Sequence, residues 1–217
     1  LTDPEEYVVQ AALHSLAQLA GLGLLSRPKV WELVDLISRF TMHPNIWIRE
    51  SAAEFLSMSA RFLTAADVRC NLMPLVKPFM KVEVLSDFSE LDILDALKRP
   101  LSRSVFDQAI TWALKTERGI YWKPLQQLRP LLFGSKGSAS SRSSRDLTQN
   151  SIGRVARNDE DEQWLAKLRN LGLKHEDELK LDALREFIWR LSKMKARDAS
   201  TAEGTTSNGV VSLKTLG

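Results

Sequence analysis

Cysteine is nearly absent: a chain of 217 residues holds one, Cys70. A lone thiol closes no internal disulfide and completes no zinc set, so packing must carry the stability, and a reducing compartment suits the chain. Histidine is scarce too. His14, His43 and His175 lie far apart in sequence, and none has a second ligand at metal-binding spacing. No cofactor is expected. Long apolar runs are missing: a spanning helix needs about 20 such residues, and the best candidate, residues 11–25, is broken by His14, Ser15 and Gln18. No secretory signal is visible. An excess of one charge is lacking as well, since 30 Lys and Arg face 27 Asp and Glu, interspersed, for a net charge of +3. Nucleic-acid binders gather their cations on one face, so nucleic acid is not an expected partner. Sustained period-two alternation, the mark of strands, is absent.

Catalytic signatures are missing in the same way. The Gly21-Leu22-Gly23 and Gly134–Ser138 stretches are too short for a dinucleotide or Walker loop and read as a helix stop and a linker. There is no nucleophile elbow, no His-Glu-x-x-His helix and no protein-kinase motif set. Asp92 and Asp95 share a helix face, which reads as solvated rather than as an acid–base pair.

What the chain does have is helix grammar. Asp3 and Pro4 open a helix that Gly21 ends, with Tyr7, Val8, Ala11, Ala12, Leu16 and Leu19 recurring at helical spacing. That opening stretch reads as a helix already under way in a larger architecture. Val30, Trp31, Val34, Ile37 and Phe40 mark a second helix. Pro44 starts a third, with Ile46, Trp47, Ala53, Leu56, Met58 and Leu63 expected on its buried stripes. Thr64 caps a fourth, which Pro74 and Pro78 bend or shorten. Further helices are predicted over 89–101, 104–117 and 121–133. Helix starts at Arg27-Pro28, Thr64-Ala65 and Arg99-Pro100 recur at about 37 residues, near the period of HEAT-type helix pairs. In such a solenoid each helix packs on its hairpin partner and on the next repeat, so its apolar stripe is wide. Ser51, Ala52, Ala53 and Ser59 admit close approach, and Arg49 is placed to reach carbonyls of a neighbouring turn.

The reading is therefore an all-α, HEAT-type α-solenoid of antiparallel helix pairs over 1–133. A flexible Ser/Gly/Arg-rich linker is expected over 134–160, a C-terminal helical pair over 161–197 and a disordered tail over 198–217. Six tryptophans are the other notable asset. Trp112, Tyr121 and Trp122 cluster near the end of the array and Trp189 flanks the last apolar stripe; these four are the candidate partner interface, although each could also be core. A HEAT-like adaptor of an unrelated trafficking or transport assembly shares the same grammar, and fold alone does not separate the two.

Several stretches resemble a known family. They are His43-Pro44 with Trp47 and Arg49, the segment Thr64–Pro74, the segment Leu97–Ala109, and the stretch from Trp164 to Ile188. The chain is similar to the HEAT-repeat region of the protein-kinase-like regulatory subunit of the class III phosphatidylinositol 3-kinase complex, a vacuolar protein sorting family, in a fungal-like version. The resemblance implies a non-catalytic scaffold segment, since no catalytic residue of that family's kinase-like domain maps onto this chain. It implies as partners the lipid kinase catalytic subunit and Beclin-type coiled-coil subunits. It also implies a role in autophagy and endosomal or vacuolar sorting, and a cytoplasmic location, peripheral on those membranes through the complex.

Overall fold

The structure, a computed structural model, describes residues 1–82, 88–123 and 157–205, with side chains to residue 198. Eight helices follow in chain order among the described residues: α1 (Glu6–Gly21), α2 (Arg27–Ile37), α3 (Ile46–Ala60), α4 (a composite over 65–79), α5 (Glu90–Ala96), α6 (Arg103–Lys115), α7 (Asp159–Asn170) and α8 (Glu178–Thr205). No strand occurs among the described residues; Met80 and Leu97 form one isolated antiparallel bridge. The fold is all-α and solenoid-like.

Local chemistry sets the helix starts. Pro28 sits in the first turn of α2, where its missing N–H costs nothing. Asn45 caps α3, its side-chain oxygen accepting from the Trp47 N–H at 2.9 Å. Thr64 and Asp67 form a reciprocal capping box at α4: the Thr64 hydroxyl accepts from the Asp67 N–H (3.1 Å) and the Asp67 carboxylate accepts from the Thr64 N–H (3.3 Å). Helix α4 then widens into a π turn over Val68–Leu72 and tightens to a 3-10 turn at Lys77–Phe79. Pro74 accounts for the widening, because it has no N–H for the Cys70 carbonyl and its ring would press on that carbonyl in a regular α turn.

The repeat is visible in the partners. Helices α1 and α3 run parallel, side by side. Asn45 Nδ2 donates to Glu6 Oε2 at 2.6 Å at their starts, and His14 Nδ1 lies 2.8 Å from Glu54 Oε2 further along, with sequence separations of 39 and 40. In the second layer Arg27, opening α2, pairs with Asp67 of α4 at a separation of 40. Equivalent helices of successive repeats stack in this way in HEAT arrays, whose period is about 40 to 47 residues. Helix α5 continues the first layer against α3.

Apolar residues turn inward differently from the expectation at two helices. In α1 the buried set is Val9, Leu13, Ala17 and Ala20, while Tyr7, Val8 and Leu19 are exposed. That helix carries apolar residues on most of its circumference, so periodicity alone selects no face. In α3 the core side is Ile48, Ala52, Phe55, Leu56 and Ser59, and Trp47 stands 62% exposed. The N-cap at Asn45 puts Trp47 in the first turn, one position round from the buried Ile48.

The C-terminal helices lie on the array. Helix α8 packs along α6 and on the 3-10 turn Ser38–Met42 that ends α2, and α7 also rests on α6. Helix α7 begins at Asp159, inside the segment expected to be linker, and α8 runs to Thr205, into the segment expected to be disordered. The helix predicted over 121–133 is described only at residues 121–123, which form a turn; its remainder, the rest of the expected linker and residues 206–217 lie outside the described residues.

Candidate functional site

The clustered aromatics come from three elements. Trp112 lies on α6, Tyr121 and Trp122 on the turn after it, and Trp164 on α7. The Trp112 ring stacks on Tyr121 (centroids 4.7 Å apart, 20° between planes) and meets Trp122 edge-on at 4.9 Å. Trp164 also stacks on Trp112, at 6.4 Å between centroids, and carries the Lys167 ammonium 4.1 Å from its own centroid. Offset and edge contacts of this kind add about 0.5–1.5 kcal/mol each beyond the area they bury.

Acidic residues at the start of α7 lock the turn in place. Asp161, itself buried, accepts on Oδ2 from the N–H groups of Ile120 (3.0 Å), Tyr121 (3.1 Å) and Asn158 (3.1 Å). Glu160 accepts from the Thr116 hydroxyl (2.8 Å) and the Arg118 N–H (3.1 Å); the Thr116 hydrogen bond leads in holding its carboxyl below the usual range. Gly119 is required by this closeness, since a Cβ there would collide with Thr116 Oγ1 and Asp161 Oδ1.

Helix α8 closes the site. The Tyr121 hydroxyl donates to Asp182 Oδ1 at 2.6 Å, and Arg185 Nη1 donates to the Tyr121 carbonyl at 2.9 Å. Burial, then the Asp182 charge, pushes the Tyr121 phenol well up. Burial also raises the Asp182 carboxyl, with the Tyr121 hydrogen bond and nearby arginines opposing. Beside them Glu178 takes Arg157 (3.0 Å) and Arg169 (2.9 Å) at once. Burial works to raise Glu178, and the two guanidinium groups outweigh it, leaving its carboxyl below the ordinary value.

Of the four candidate interface residues, the structure brings Trp112, Tyr121 and Trp122 together and buries them against one another within the chain. Trp189 is half-buried at the edge of the core. Sequence reasoning found the aromatics and missed the charged frame of Glu160, Asp161, Asp182 and Arg185. The Asp161 signal, an Asn-x-x-Asp capping box at 158–161, was present in the sequence. Arg49 does reach its neighbouring turn, donating to the carbonyls of His43 (3.0 Å) and Pro44 (2.8 Å).

Nothing in this frame resembles a reaction centre. Its carboxylates and arginines mostly pair with one another and with the turn, while Asp161 Oδ1, Arg157 Nε and the indole nitrogens of Trp112 and Trp122 are buried without a hydrogen-bond partner; among the described residues no group of three or more His, Cys, Asp or Glu could hold a metal. No helix among them is long and apolar enough to cross a membrane. The geometry is that of a helical-repeat scaffold whose end is sealed by an aromatic and ionic junction. A profile of the family described as "PIK3R4-like, middle domain" matches residues 1–110, and the chain belongs to that family. It is the family of regulatory subunits to which the His43-Pro44 and Leu97–Ala109 motifs pointed.

Individual relatives agree. A Komagataella pastoris protein that carries the VPS15 serine/threonine-protein kinase name is 32% identical over 97% of this chain, which spans 16% of that protein. The serine/threonine-protein kinase VPS15 of Saccharomyces cerevisiae is 26% identical over 83% of this chain and 14% of its own length. The vps15 kinase of Schizosaccharomyces pombe is 28% identical over 57% of the chain and 7% of its length.

Proposed function

We propose that this chain is a non-catalytic scaffold segment of the regulatory subunit of the class III phosphatidylinositol 3-kinase complex. In this reading it supports assembly and regulation of the lipid kinase in autophagy and in endosomal or vacuolar sorting. The observation that carries the reading is the middle-domain match over residues 1–110. The mechanism is presentation: stacked, doubly buried helices form a stiff array that holds binding surfaces at fixed positions. The catalytic subunit of the lipid kinase and Beclin-type coiled-coil subunits are the proposed partners, and the membrane is reached through the complex. Of the four candidate interface residues, Trp189 has the exposure to touch a partner. Trp112, Tyr121 and Trp122 would act from inside, by fixing α7 and α8 on the array.

Co-purification of the chain with the class III catalytic subunit tests this. Co-elution that persists from low to moderate salt is expected, weakened by Trp189→Ala. Failure to co-elute, repeated with the relatives' neighbouring domains attached, overturns the proposal.

A further inference from the structure

A cavity of about 300 Å³ opens where the N-termini of α1, α3 and α6 meet α8. The proposed scaffold role makes no use of it. Its floor is His43, fully buried between the rings of Phe106 (4.8 Å) and Phe187 (5.7 Å). His43 Nδ1 accepts from the Asn45 N–H at 3.1 Å, so the proton of the neutral ring sits on Nε2. That Nε2–H is buried and finds no acceptor in the chain. A buried donor left unmade is costly and asks for an explanation.

The rim has its own unmet chemistry. Tyr7 and Trp47 line the cavity and are 76% and 62% exposed, two large aromatic faces with no packing role. Four carboxylates (Asp3, Glu5, Glu6, Asp107) share the lining with two cations, Arg103 and Lys195. Glu6 and Asp107 are both engaged by Arg103. Asp3 accepts the Glu5 N–H at 2.9 Å, and neither Asp3 nor Glu5 has an ion-pair partner among the described residues. Aromatic faces beside uncompensated carboxylates attract a cation, through the ring quadrupole and through charge.

From this juxtaposition we propose that the cavity is a docking site for a basic side chain, arginine or lysine, on an extended segment of a partner protein. The cation lies over Tyr7 and Trp47 against Asp3 and Glu5. His43 Nε2–H is closed to solvent in this structure, so a backbone carbonyl of the same segment supplies the acceptor it lacks only once the side chains over it shift. A peptide answers both demands, because it carries a cation and a carbonyl within one residue's reach.

The test is an NMR titration of the full, isotope-labelled chain with the blocked peptide Ala-Ala-Arg-Ala-Ala. The control is the same peptide with citrulline, which keeps the shape and removes the charge. Saturable shifts of the Trp47 indole and Tyr7 signals are expected. Affinity should fall about tenfold for citrulline, within the range of a desolvated cation–π contact, and should weaken as salt screens the rim. Asp3→Asn and Trp47→Leu should each weaken binding several-fold with unchanged melting temperature, since both side chains lie outside the core. Equal binding of the two peptides, absence of saturable shifts, or undiminished affinity in folded Trp47→Leu overturns the proposal.

Discussion

Tyr121 and Asp182 stand 61 residues apart in the chain and meet through a 2.6 Å hydrogen bond from the phenol to the carboxylate. The contact joins the turn after α6 to the second turn of α8, so it reports directly on whether the start of the C-terminal helix lies on the array. Tyr121→Phe removes the donor, keeps the ring stack and leaves Asp182 half-buried with less compensation. A loss of about 1–3 kcal/mol is expected, read as a lower urea midpoint with an unchanged slope.

Gly119→Ala tests the acidic clamp. The added methyl collides with Thr116 and Asp161, and one of the two must leave. Overpacking of this kind costs about 1–3 kcal/mol. Limited proteolysis should show α7 released before the α1–α3 layer opens; simultaneous loss of both would mean that the clamp is not a separate unit.

Acid should act through His43. Burial brings its pKa from 6.5 to about 4; Glu6 opposes, and Arg103 and Arg49 add to the fall. The unfolded chain takes up this proton near pH 6.5 and the folded chain not until about pH 4. The stabilisation is therefore full above pH 6.5, is lost as pH falls toward 4, and loses no more below that. At 1.36 kcal/mol per unit the effect is on the order of 3 kcal/mol. In His43→Gln the plot of unfolding free energy against pH should be flatter between 6.5 and 4, whatever its absolute height.

The sequence reading succeeded where information is local. Pro28 in the first turn of α2 and the Thr64 cap of α4 each act within four residues, and those two helices begin where they say, whereas α3 opens at Ile46 behind an Asn45 cap, two residues after Pro44, where the sequence alone places its start. Burial is a different matter. Trp47 looked like core because it is large and apolar, yet Ile48 and the small residues Ala52 and Ala53 face inward, and a repeat stacked this closely favours small over large. The aromatic junction was legible as a cluster of residue types but not as a place. Its frame comes from Asp161 and Asp182, beyond a low-complexity stretch that carries no pairing signal, so nothing in the local pattern announces that α7 and α8 return to α6.

That return changes how length along this chain should be counted. Asp161 grips the backbone of Ile120 and Tyr121 across separations of 41 and 40 residues, and so the two ends of the intervening stretch are one point in space. The entropy of closing a chain between two such fixed points grows only with the logarithm of its length, about 0.6 kcal/mol per doubling. The clamp therefore sets the register of α7 and α8 on α6 from its two gripped ends, not from the count of residues between them.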